Sequence, residues 1–180
     1  MDVCIATILI LAAAALRLAP HAPNFAPVGA LALFAGTVLP KRWSVVLPVG
    51  AMLLSDAIIG FYQPYVLLAV YGSFLAIVLL GWWAREQKMR AASVIGASLF
   101  GSVLFFLVTN AAVWAWGGLY SRTAAGLLLA YTMGVPFFRN TLASDLVYNG
   151  VLFGVFAAAT WAARHAHWLR DRAFLRSPYH

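Results

Sequence analysis

Residues 124–138, AAGLLLAYTMGVPFF, run into residues 139–163, RNTLASDLVYNGVLFGVFAAATWAA, and this stretch decides how often the chain crosses a bilayer. A helical span needs about 20 apolar residues to cover a hydrocarbon core ~30 Å thick. Thr141–Ala163 meets that length on its own. The segment before it is short for a full span, ends at Pro136, and carries Gly126, Ala130 and Gly134 at four-residue spacing. Such a small-residue stripe lets helices pack closely. The spacing predicts a partly embedded or re-entrant helix over 124–138 ahead of the last span, with a full extra span as the alternative.

Working back along the chain, five more apolar segments have the character of spans: Val3–Ala19, Pro27–Leu39, Ser44–Phe61, Tyr65–Ala84 and Ala92–Trp116. Pro27–Leu39 is short for a hydrocarbon core, so it is tilted or begins in the irregular His21–Pro27 stretch, whose backbone must be buried in protein. Six spans place Lys41, Arg42, Arg85, Lys88, Arg90, Arg164, Arg170, Arg172 and Arg176 on one side. Arg17, Arg122 and Arg139 then lie on the other. Nine against three marks the first side as cytoplasmic under the positive-inside rule. A seventh span would move the C-terminal arginines outside and spoil that asymmetry. The expected fold is therefore an all-α membrane protein, a six-helix transmembrane bundle with N and C termini cytoplasmic. One bundle domain covers 1–163, and 164–180 forms a basic cytoplasmic tail along anionic headgroups.

Composition agrees with a multi-pass integral membrane protein. Of the 180 residues 64% are hydrophobic and 9% charged, and mean hydropathy is +0.88. The net charge of +7 reflects basic connections rather than a nucleic-acid surface, because no polar face interleaves aromatic and basic residues. The N-terminal apolar run has Asp2 where a signal peptide has a basic region, so it reads as a retained first span. The single cysteine, Cys4, excludes an internal disulfide and a thiolate zinc site. No HExxH, phosphate loop or triad appears, and no metal or cofactor is expected. Asp56 and Asp145 lack the Gly-x-Gly-Asp context of an intramembrane aspartyl protease. The chain is therefore not expected to be an enzyme.

Polar groups inside apolar segments are costly and need a partner or a function. Arg17, His21, Asn24, Asp56, Asn110, Arg139, Asn140, Ser144, Asp145 and Asn149 are such groups. In the six-span topology they gather in the outer half of the bundle. Asp56 lies about five residues, ~8 Å, below the outer end of its span. Asp145 and Asn149 are four apart and share a helix face, as do Asn140 and Ser144. Each has a purely structural reading as well. Asp56 neutralises Arg17 or Arg139, Asn24 holds a turn or caps the second span, Asn110 staples two helices, and Trp114 sits in an interfacial belt. Their common depth favours a binding site open to the outside.

Several of these residues sit in blocks that resemble the signature of an uncharacterised bacterial membrane family. The blocks are RLAPHAPNFAPVGALALF over 17–34, Pro48…Met52-Leu-Leu-Ser-Asp56…Gly60-Phe61, Val70-Tyr71-Gly-Ser73, Thr109-Asn110…Trp114 and Pro136-Phe-Phe-Arg-Asn140-Thr-Leu…Asp145. The layout is also similar to the substrate-binding S components of energy-coupling-factor (ECF) vitamin transporters. These too have about six helices, cytoplasmic termini, a Pro-rich first loop and an Asp late in the third helix. In that group a Pro-Phe-Asn motif occurs, whereas here two residues separate Phe137 from Asn140.

That resemblance implies capture of a vitamin-like solute from outside, then docking to an ECF scaffold subunit with paired ATPases. Docking would use small residues of the first helix, here Ala15 and Ala19, at a spacing that permits close helix approach. Asp56, Asn110, Asn140 and Asp145 would hold the polar part of the solute, with Asn24 from the loop. Trp114, Phe61 and Tyr71 would supply apolar walls, and Arg17 and Arg139 would balance the carboxylates. Solutes from cobalamin, with His21 on its cobalt, down to a small vitamin are all compatible. The competing reading is a structural or assembly membrane protein whose intramembrane polar residues only lock helices together.

Overall fold

The computed structural model describes residues 2–61 and 63–175, with side chains through 166. All its regular structure is helical: α1 (Asp2–Leu16), α2 (Val28–Val38), α3 (Lys41–Ile59), α4 (Pro64–Glu86), α5 (Ala91–Trp116) and α6 (Ala124–Leu175). α3 to α6 are long and apolar enough to cross a membrane, whereas α1 and α2 have 15 and 11 residues. Burial runs opposite to that of a water-soluble domain. Ile8, Leu54, Ile58, Leu68 and Leu128 are each more than about 60% exposed on the outer faces, while Asp56, Ser102, Ser144 and Asp145 are buried inside. Such a surface suits hydrocarbon as its solvent.

Contacts between helix ends fix their directions. Arg17, just past α1, reaches Asp56 near the end of α3 at 2.5 Å. Asp2 lies 3.6 Å from Arg164 of α6, Lys41 sits over the Trp82 ring, and Tyr65 stacks on Trp116. Odd-numbered helices thus run one way and even-numbered ones return. Lys41, Arg42, Arg85, Lys88 and Arg90 collect at one end, here termed the basic end. Arg17 and the α1–α2 connection lie nearer the other.

α2 is the centre of the molecule and packs against all five other helices. Every residue from Ala30 to Thr37 is buried, as expected of a short helix that is hydrophobic all round. Its approach to α4 is backbone to backbone, since a Cβ on Gly81 would lie 2.7 Å from the Gly36 Cα. At about 16 Å α2 ends inside protein at both termini, and unpaired helix-end groups there must find partners. At its C-terminus the Arg85 guanidinium of α4 donates to the carbonyls of Thr37 (2.7 Å), Gly36 and Leu39. A cation there also opposes the helix dipole. Arg85→Met leaves these carbonyls unpaired and lowers stability by about 1–3 kcal/mol. Thermal unfolding in mild detergent, followed by tryptophan fluorescence, reads the loss.

Two expectations need correction. Residues 124–138 are not a separate re-entrant helix. They are the first part of one continuous helix of 52 residues, about 78 Å long. Pro136 removes one backbone hydrogen bond, but packing against α5 carries the helix through it. Phe138 meets Phe106 with ring centroids 4.8 Å apart, and the Tyr131 hydroxyl donates to the Leu107 carbonyl at 3.0 Å. The Gly126–Ala130–Gly134 stripe helps, with Ala130 and Gly134 buried. α6 also continues into the expected tail as far as Leu175, and 176–180 lie outside the described residues.

The second correction concerns Ala15 and Ala19. α1 stops at Leu16, and the next amides bond three residues back, Leu18 to Ala15 and Ala19 to Leu16. This tightened turn, which brings Arg17 to Asp56, takes Ala19 off the helical stripe that Ala15 would begin.

Candidate functional site

The α1–α2 connection is irregular because its sequence forbids a helix. Pro20, Pro23 and Pro27 remove donors, and Asn24 takes a left-handed conformation with φ of 59° that asparagine tolerates better than most residues. α6 holds this connection from below. The Asn140 amide donates to the Pro23 carbonyl at 2.9 Å, and the Ser144 hydroxyl donates to the Ala26 carbonyl at 2.7 Å.

One turn deeper, Asp145 meets the N-terminus of α2. Its Oδ1 accepts the Ala30 amide at 3.1 Å and its Oδ2 accepts the Ser102 hydroxyl at 2.6 Å. An anion at this position satisfies an orphan amide and complements the helix dipole. Gly29 makes the approach possible, because a Cβ there would lie 2.5 Å from Asp145 Oδ1. Asp145 has no ion pair among the described residues.

The second buried carboxylate is fully compensated. Asp56 Oδ1 receives Arg17, and Oδ2 receives the Tyr71 hydroxyl at 2.7 Å. Arg17 also donates to the Ser55 hydroxyl and to the Met52 carbonyl. The pair is 39 residues apart in sequence and almost wholly withdrawn from solvent.

Between these two carboxylate centres lies a cavity of about 260 Å³. Its polar lining comes from Arg17, His21, Asn24, Thr141 and Asp145. Val28, Met52, Val70, Phe74, Ile77 and Phe105 are its apolar walls. The arrangement offers a carboxylate that keeps spare lone pairs, a neutralised guanidinium–carboxylate pair and two aromatic rings. It can hold a compact molecule with an apolar body and hydrogen-bond donors.

Of the expected binding residues, Asp145 and Asn24 line this cavity, as does the charge partner Arg17. Asp56 and Tyr71 stand behind Arg17. Asn110 donates within its own helix to the Phe106 carbonyl at 2.8 Å, beside Gly134. Trp114 donates to the Ser121 carbonyl at 2.9 Å and holds the α5–α6 connection. Asn140 supports the cavity's roof without lining it, and Phe61 is exposed. Arg139 is exposed and pairs with neither carboxylate. His21 turns its ring nitrogens towards the carbonyls of Ala22 (3.0 Å) and Arg17 (3.3 Å).

Sequence reasoning missed Ser102, Gly29, Phe74, Ile77 and Phe105. Ser98 and Ser102 were legible as an i, i+4 pair on α5. They face Asn149 and Asp145, an i, i+4 pair on the antiparallel α6, with Asn149 Nδ2 2.9 Å from Ser98 Oγ. The aromatic walls carry no signal that separates them from other core residues.

No curated protein and no solved structure matches the chain. The sequence model of a family of unknown function, DUF6580, matches residues 1–168, nearly the whole helical bundle, and the chain belongs to that family.

Proposed function

We propose that this is a solute-binding or uptake protein of a bacterial inner membrane, similar in plan to ECF S components, with both termini and the basic end cytoplasmic. The observation that carries this reading is the 260 Å³ cavity under the α1–α2 connection, where Asp145 faces Phe74 and Phe105. In this orientation the cavity lies towards the outer side, where a nutrient arrives. Its volume is near the lower limit of small-molecule sites, about 300–1,000 Å³. That favours a compact vitamin-sized solute over a corrinoid. Asp145 favours a solute with N–H or O–H donors, and its negative charge favours a cationic one. Energy for release would come from an ECF scaffold and its ATPases, or transport would be passive.

The test is small-molecule mass spectrometry on protein purified gently from its own membrane. A stoichiometric low-mass compound is expected, accompanied by ATPase subunits if the energised form is the working one. Val70→Trp fills the cavity, and it should cut the retained compound by at least about tenfold while the unfolding midpoint holds. Protein that carries no such compound in any preparation, yet loses stability when its polar residues are changed, supports the helix-locking alternative instead.

A further inference from the structure

The charges around the solute cavity do not balance. Arg17 and Asp56 cancel each other, whereas the buried Asp145 has no ion pair among the described residues. The neighbouring titratable groups leave that count unchanged. His21 on the α1–α2 connection faces backbone carbonyls, and Tyr71 of α4 donates to Asp56. α2 and α5 carry no titratable side chain, and α1 has only Asp2 and Cys4, at its far end. On α6 itself Arg139 is exposed and Tyr148 packs against Phe25. A buried ion without a partner is costly, so a proton or a cation has to neutralise it.

The geometry around Asp145 provides for both. Ser102 Oγ lies 2.6 Å from Asp145 Oδ2 and 3.0 Å from the Ser98 carbonyl, and a hydroxyl has one hydrogen to give. With Asp145 ionised, that hydrogen goes to Oδ2. With a proton on Oδ2, the acid donates to Ser102 Oγ and the serine hydrogen turns to the Ser98 carbonyl. Neither state requires a heavy atom to move. The Ala30 amide, 3.1 Å from Oδ1, stands farther off than the about 2.7–2.9 Å of a charge-assisted bond, which suits the uncharged acid. Phe74 and Phe105 line the same cavity, and aromatic faces attract organic cations.

Resting on the solute-binding reading above, we propose that Asp145 exchanges a proton for an organic monocation: the free cavity holds the acid, and the bound solute is an ammonium-type cation. On binding, the Oδ2–H bond breaks and its proton passes through the cavity to water at the exposed rim of His21 and Asn24. The carboxylate left behind pairs with the cation. One positive charge enters and one leaves, so the site is neutral before and after.

Infrared difference spectra of the full chain in nanodiscs, dialysed free of small molecules, against its Asp145→Asn variant read the acid through its carbonyl stretch. Asparagine can reproduce the acid's hydrogen bonds, with its oxygen on the Ala30 amide and its amino group on Ser102 Oγ. The variant should therefore unfold at the wild-type midpoint. At neutral pH the wild type should show the acid band. Saturating ethylammonium or benzylammonium chloride should replace it with carboxylate bands, while benzyl alcohol and sodium chloride leave it in place. Absence of the acid band, or its survival with both ammonium salts, overturns the exchange. So does equal loss with benzyl alcohol or sodium chloride, or an Asp145→Asn protein as unstable as Asp145→Ala. The compound retained on purification keeps the two ideas apart. A neutral or anionic one leaves the solute-binding reading standing and removes this one, whereas no retained compound removes both.

Discussion

Asp145→Ala lowers the stability of the bundle by about 1–3 kcal/mol, because it leaves the Ala30 amide buried without its acceptor and the Ser102 hydroxyl with only the Ser98 carbonyl. Gly29→Ala should do similar damage by the opposite route. Its new Cβ would stand 2.5 Å from Asp145 Oδ1 and push the carboxylate off the helix end. The informative result is the combination. Once Asp145 is alanine, the added methyl group has room, so Gly29→Ala costs little more. The double variant should be no less stable than the worse single one, a coupling expected only of groups in direct contact. Unfolding midpoints of the four proteins in one detergent supply the cycle. Additive losses would mean that Asp145 and the start of α2 are not in contact.

Asp56→Ala should be at least as severe, at about 3–5 kcal/mol, since it strands the Arg17 guanidinium inside the bundle. Replacing both charges with apolar side chains of similar volume, Arg17→Met with Asp56→Leu, should recover most of the loss. A buried pair offers little net stability over a well-packed apolar substitute. The recovered double variant then separates the two readings of this protein. Arg17 lines the solute cavity, so under the binding reading the repaired bundle still fails to retain its small molecule. A repaired bundle that retains it normally assigns the Arg17–Asp56 pair to helix locking alone.

The residues that sequence could read were those whose chemistry is expensive in an apolar chain. Asp56, Arg17 and Asp145 stand out by type, and the structure finds a partner for each. The sequence could not say which partner. Arg17 and Arg139 were equal candidates for Asp56, and only the turn after Leu16 brings one of them close. Arg139 lies on an exposed face of α6 instead. Asn110 and Trp114 show the reverse problem. Their polar groups suit a ligand as well as a carbonyl of the same or a neighbouring segment, and here carbonyls take them. Continuity of α6 through Pro136 was hidden for another reason. Proline's effect is local and visible, while the packing on Phe106 and Leu107 that outweighs it is long-range. Gly29 was quoted within a motif, yet its need for close approach emerges only once a carboxylate 116 residues later stands against it.

The shortness of α2 bears on how the protein is made. Eleven residues are too few to settle in a bilayer as an independent span. Arg17 emerges from the ribosome before α2 and has to wait 39 residues for Asp56. The α2 N-terminus waits far longer, until Asp145 is synthesised. In a bilayer α1 and α2 are therefore unfinished during translation, with Arg17 unpaired until α3 and the α2 N-terminus uncapped until α6. They need shelter beside the insertion machinery until α6 arrives, which makes the last helix the one that closes the molecule.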